Sequence, residues 1–130
     1  MKKYLTKKEI KIPIYTGSLV LIESNSNKKI SKELDFFDNE EIYAHSIMFN
    51  NKGRTGYGIV FNFKNKDSNI THGVIAHEAY HITSFIAEEH GVMWDPENDE
   101  PLAYLINWIV DQIYIFVKEN NLTVHIEKHK

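Results

Sequence analysis

Polar and apolar residues alternate along Glu9-Ile10-Lys11-Ile12-Pro13-Ile14-Tyr15, the two-residue period of a half-buried strand. Pro13 cannot donate to a ladder, which assigns this strand to a sheet edge or a bulge. Thr16-Gly17 is a turn signal, and residues 18–22 read as a returning, more buried strand. The polar run 24–29 is a loop, and 31–40 fits either a short helix or an irregular connection. Two clearer strands are expected at 42–49 and 57–63, joined by a loop rich in Gly and Asn. Tyr57, Ile59, Phe61 and Phe63 share one face of the second, with Gly58, Val60 and Asn62 on the other.

From Thr71 the period changes. Val74, Ile75, Ala79, Ile82, Phe85 and Ile86 recur at three and four, the stripe of an amphipathic helix. Thr71 or Asn69 can cap its start, and Gly91 ends it after His90. An acidic loop, 91–99, leads to a second helix over about 100–120, with Pro101 tolerated in its first turn. Its many apolar residues, Leu102 to Val117, imply burial on most sides, in the core or against a partner. Residues 122–126 suggest a last short strand. The expectation is one α+β domain over 1–130, β-rich over 1–67 and helical over 70–120. In it a small antiparallel sheet packs on the first helix and on a second long C-terminal helix.

Composition narrows the functions such a domain can have. The chain has 130 residues, 42% hydrophobic and 25% charged, which is globular usage. It has no Cys, so disulfide scaffolds, thiolate metal sites and cysteine nucleophiles are excluded and a reducing compartment is expected. A net charge of -3 implies no nucleic-acid partner. The lysines at 2, 3, 7, 8 and 11, and at 28, 29 and 32, read as solvated flanks of short elements. Glu9, Lys11 and Pro13 interrupt what a signal peptide would need as an apolar run, and nothing reaches a membrane span.

Seven histidines are many for this length, and two of them define the candidate chemistry. His77-Glu78-Ala79-Tyr80-His81 is H-E-x-x-H within the first predicted helix. Residues i and i+4 lie one turn apart on one face, so both imidazoles reach a single ion. Glu78, one step from His77, projects beside that ion as a general base for water. The metzincin continuation with a third His is missing, since Ser84 and Ala87 stand there. Glu100, after a loop long enough to fold the second helix back, is the expected third ligand, with Asp99 as competitor because Pro101 disfavours α geometry before it. Glu100, Tyr104, Asn107 and Asp111 form one polar stripe on that helix. Polar groups on a buried helix need partners, and a metal with its histidines would supply them. Asn107 or Asp111 would then bond the second ring nitrogen of His77 or His81.

With those residues in place, a resemblance emerges. His77-Glu78-x-x-His81 followed by Glu100 looks like the gluzincin type of zinc metallopeptidase. Residues 73–81 together with 99–105 are similar to a family of small proteins encoded by tailed phages and prophages of gut Bacteroidetes, usually described as metallopeptidases. The match covers 70–113 well and the β half in outline. It implies Zn2+ held by His77, His81 and Glu100, with Glu78 as base. It also implies a zincin-like half-fold whose edge strand can pair with an extended peptide, and a site of action in the bacterial host cytoplasm or the virion. The chain lacks the second large domain that walls the cleft of larger gluzincins, so a homodimer, or a virion or host protein, would complete it.

The expected activity is zinc-dependent peptide hydrolysis of a peptide or protein substrate. Tyr104 is named as the catalytic donor to the oxyanion, with His90 and His125 as alternatives, and the strand 57–63 as the peptide-binding edge. His45, His72, His125 and His129 read as surface or capping residues, and Trp94 and Trp108 as core or lid aromatics. The competing expectation is a non-catalytic, metal-stabilised structural or host-interaction protein that keeps a zinc site.

Overall fold

The computed structural model describes residues 2–34, 43–51, 53–64 and 67–128. Its order is β1 (Leu5–Lys11), β2 (Ser18–Ser24), α1 (Asn27–Leu34), β3 (Ala44–Asn51), β4 (Arg54–Asn62), β5 (Asn69–Thr71), α2 (His72–Glu89), α3 (Glu100–Glu119) and β6 (Thr123–His125). The class is α+β, as expected. The four-stranded sheet runs β1-β2-β4-β3, and β5 pairs with β6 in a small ladder of its own.

The sheet is mixed rather than antiparallel, because β2 and β4 run parallel. A parallel pair needs a crossover connection. Here α1 and β3 lie between β2 and β4 in the chain, with β3 returning antiparallel on the far side of β4. The two central strands are therefore buried on both faces. Leu19, Leu21, Tyr57, Ile59 and Phe61 join one core with α2 and α3. Val20, Ile22, Ile47 and Val60 join a second with Ile30 and Leu34 of α1. The alternation across 57–63 holds as the sequence implies, but its second face is a core and not solvent.

α1 falls partly in the polar stretch assigned to a loop. Its start is built by Ser26, whose Oγ accepts from the Lys29 amide at 3.3 Å and whose carbonyl accepts from Ile30. The ambiguous stretch is helical to Leu34, and its remainder lies outside the described residues. β1 begins and ends earlier than the alternation suggested, so Pro13 sits in the hairpin turn and not in a strand. Adjacent lysines of β1 project to opposite faces. Lys7 meets Glu33 of α1 at 2.8 Å and Lys8 meets Glu119 of α3 at 2.7 Å, so one edge strand is tied to both helical layers.

α2 starts at Thr71, whose hydroxyl accepts from the Val74 amide at 3.0 Å. It ends in a Schellman turn: Gly91 takes a φ of 68° and the Val92 amide returns to the Ala87 carbonyl at 2.8 Å. Asn121, at a φ of 54°, closes α3 in the same way, with Leu122 donating to Val117. α3 buries Leu102, Leu105, Ile109, Ile113, Phe116 and Val117 along one stripe only. The expectation of burial on most sides is corrected: Glu100, Tyr104, Asn107 and Asp111 face solvent. No helix among the described residues is long and apolar enough to cross a membrane.

The β1–β2 hairpin depends on Gly17, whose φ is 104° and where an added Cβ would meet the Thr55 carbonyl oxygen at 2.8 Å. Backbone on one side and a left-handed conformation on the other leave no side chain room. Gly17→Ala is expected to lower unfolding stability by about 1–3 kcal/mol, read from the midpoint shift in urea denaturation.

Candidate metal centre and cleft

The helical periodicity of α2 places three chemically active groups together. His77 and His81, one turn apart, bring their Nε2 atoms to 3.0 Å. A carboxylate oxygen of Glu78 lies within 4.8 Å of both. Among the described residues this trio is the one cluster of ligand-type side chains close enough to share an ion. Two imidazole nitrogens bound tetrahedrally at 2.0–2.1 Å stand about 3.3 Å apart, so the pair already has nearly the right separation. The donors are two imidazoles and a carboxylate, a set that suits a divalent transition metal.

The two histidines face outward while Glu78 is 5% exposed. It is anchored from the sheet: Ser46 Oγ donates to Glu78 Oε1 at 2.6 Å and approaches the Glu78 carbonyl at 3.4 Å. Ser46 belongs to β3, the last strand of the sheet, so the carboxylate is held between helix and sheet edge. Sequence reasoning did not find Ser46. Its only signal is its place on a strand that the topology lays against α2.

An open cleft of about 570 Å³ begins at His77 and Glu78. It continues past the first turn of α2 and is closed by Tyr43 and Ala44 before and at the start of β3 and by Ile126 and Glu127 after β6. His72 also lines it. The Nδ1 of His72 is hydrogen-bonded to the Tyr114 hydroxyl of α3, an arrangement that the surface reading of His72 did not anticipate. When the tyrosine donates to Nδ1, the ring proton sits on Nε2 and becomes a donor for whatever occupies the cleft.

The other expected residues lie elsewhere. Glu100 is the first residue of α3, exposed, and outside the trio, as is Asp99 before it. Glu100 is itself helical, so Pro101 does not exclude it from α geometry. Tyr104 is 69% exposed on the outer face of α3 and does not line the cleft. His90 is at the far end of α2, with Nδ1 against the Ile86 carbonyl and Nε2 accepting from the Thr16 amide at 3.2 Å. His125 is in β6, two residues from Glu127 at the cleft wall. His129 lies outside the described residues. The strand assigned to peptide binding, now β4, is hydrogen-bonded on both sides, to β2 and β3. It cannot accept a further strand, and among the described residues β3 is the edge beside the cluster instead.

Comparison of the chain with protein-family models, with curated proteins and with solved structures finds no match. The chemistry of the site therefore stands on its own geometry.

Tyr43 lines the cleft half-buried. Its hydroxyl donates to the Asn69 carbonyl at 2.7 Å. Burial first, and then the Glu127 carboxylate, push its pKa up to about 12, against a backbone hydrogen bond from Thr71 that pulls the other way. A phenol whose folded pKa is raised contributes stability below its unfolded value of 10 and loses it as pH rises through about 12. The urea midpoint should therefore fall between pH 10 and 12 in the native protein, and fall less steeply in Tyr43→Phe.

Proposed function

We propose that this chain is a zinc-dependent hydrolase of peptide bonds. The observation that carries the reading is the trio on α2: two imidazole nitrogens 3.0 Å apart beside a carboxylate fixed by Ser46, at the mouth of an open cleft. His77 and His81 would hold a divalent ion, which when bound would supply a Lewis acid able to polarise a carbonyl and lower the pKa of water toward neutral pH. The protein supplies the rest. Glu78, with Oε1 occupied by Ser46, keeps Oε2 to take a proton from water and deliver it to the leaving amine. In the tautomer whose Nδ1 accepts from Tyr114, His72 offers its Nε2–H to a substrate carbonyl in the same cleft, the role the sequence assigned to Tyr104.

The edge strand β3 supports a zincin-like half-fold. It runs antiparallel to β4, touches the base through Ser46, and presents the outer edge of the sheet to an extended chain. Glu100 remains the proposed third ligand with Asp99 as its competitor. Recruiting either requires the segment before α3 to move onto the histidines.

Glu78→Gln separates binding from chemistry. Metal content measured on the purified protein should be unchanged, while cleavage of a peptide library should fall about 10²–10⁴-fold. Full activity in that variant would remove Glu78 from the mechanism. In the same assay Tyr114→Phe should lower cleavage about tenfold with metal binding intact, since it frees His72 without touching the ligands. The non-catalytic alternative, a metal-stabilised interaction protein, predicts a different pair of results: a melting temperature that collapses with chelator, and no cleavage at any metal loading.

A further inference from the structure

Beside the His77–Glu78–His81 cluster lies a surface that the hydrolytic reading does not use. Trp94, from the loop between α2 and α3, stacks on Tyr80 of α2 with ring centroids 5.6 Å apart and planes 15° from parallel. The stack is not a core contact: Tyr80 is 52% exposed, Trp94 42% and the adjacent Met93 83%. It adjoins the cluster directly, since the Tyr80 ring is 6.1 Å from that of His81. Contiguous exposed apolar surface rimmed by polar residues is the kind of patch that marks an interaction site, and aromatic residues and Met are enriched in such patches.

The segment that follows Trp94 in the chain is acidic. Asp95 and Glu97 follow Trp94 immediately, both exposed. Asp95 Oδ1 accepts from the Glu97 amide at 3.0 Å, and the Asn98 amide returns to the Asp95 carbonyl at 2.9 Å, so the chain turns directly after Trp94 and keeps both carboxylates within three residues of it. The two ion pairs among the described residues, Lys7–Glu33 and Lys8–Glu119, involve neither. Flat aromatic faces attract cations as well as apolar groups, and unneutralised carboxylates at the rim favour the same occupant.

From these features we infer that the Tyr80–Trp94 shelf with its Asp95–Glu97 rim is a binding subsite for a basic peptide segment, one in which lysine or arginine flanks an apolar side chain. Resting on the peptidase reading, this names the class of substrate that site would take. An extended peptide advances about 3.3–3.6 Å per residue, so a chain with its reacting carbonyl at the histidines lays a side chain two or three positions away on the shelf.

The test measures binding and not turnover. Glu78→Gln protein in chelator is titrated by calorimetry with three synthetic hexapeptides: a Lys/Arg-flanked phenylalanine peptide, its Glu-flanked analogue, and the Lys/Arg peptide with glycine for phenylalanine. The first should bind at least tenfold more tightly than either control, and its affinity should fall as salt rises. Trp94→Ala should weaken it about tenfold. Asp95→Asn combined with Glu97→Gln, on an exposed turn that does not form the core, should erase the preference for the basic over the acidic peptide.

Three results would overturn the inference: no binding of the basic peptide, equal binding of all three, or full affinity in both variants. Self-association of the protein that disappears in Trp94→Ala would also overturn it, by making a second copy the occupant. The two readings fail separately. Selective binding of the basic peptide without cleavage by metal-loaded native protein removes the hydrolase and keeps the subsite. Cleavage that is indifferent to charge and to Trp94 does the reverse.

Discussion

Burial of β2 and β4 on both faces is the constraint from which the architecture follows. A strand with one wet face needs one covering layer, whereas a strand of alternating but wholly apolar faces needs two. Leu19 and Leu21 face α2 and α3, while Val20 and Ile22 face α1. The short helix after β2 is therefore not an ornament on a loop. It covers the second face and leads the chain across to β3, whose antiparallel return lets β4 lie parallel to β2. Once β4 is central, β3 must be the edge, and the edge is where α2 meets the sheet through Ser46 and Glu78.

The candidate site is thus built from a local and a non-local part. The local part is the spacing of His77 and His81 on a helix, which depends only on 3.6 residues per turn and was legible in the sequence. The non-local part is not written in any spacing. Ser46 reaches Glu78 from 32 positions away, and Tyr114 reaches His72 from 42. α3 contributes to the cleft through a tyrosine in its C-terminal half, not through the glutamate at its start. Both helices were legible as elements, but which turn of one meets which turn of the other is set by packing against the sheet.

Other differences have equally specific causes. α1 was obscured because Asn, Lys and Ser dominate it and its buried side is two residues, Ile30 and Leu34. The mixed sheet was obscured because the alternation in β4 is the same whether its neighbour runs parallel or antiparallel. The polar stripe on α3 was read as buried because the helix is rich in apolar residues. Six of them suffice to fill the core, and the stripe opposite is ordinary solvent-facing surface.

The lysines of β1 give the sheet a polarity of access. At one margin, successive cations reach to helices on opposite faces and leave a charged rim, an arrangement that repels the approach of another backbone. At the other margin lies β3, with the catalytic candidates beneath it. Growth of the sheet by an added strand is thereby disfavoured at the β1 margin and left open at β3, so the two edges of one sheet differ in how readily another backbone can pair with them.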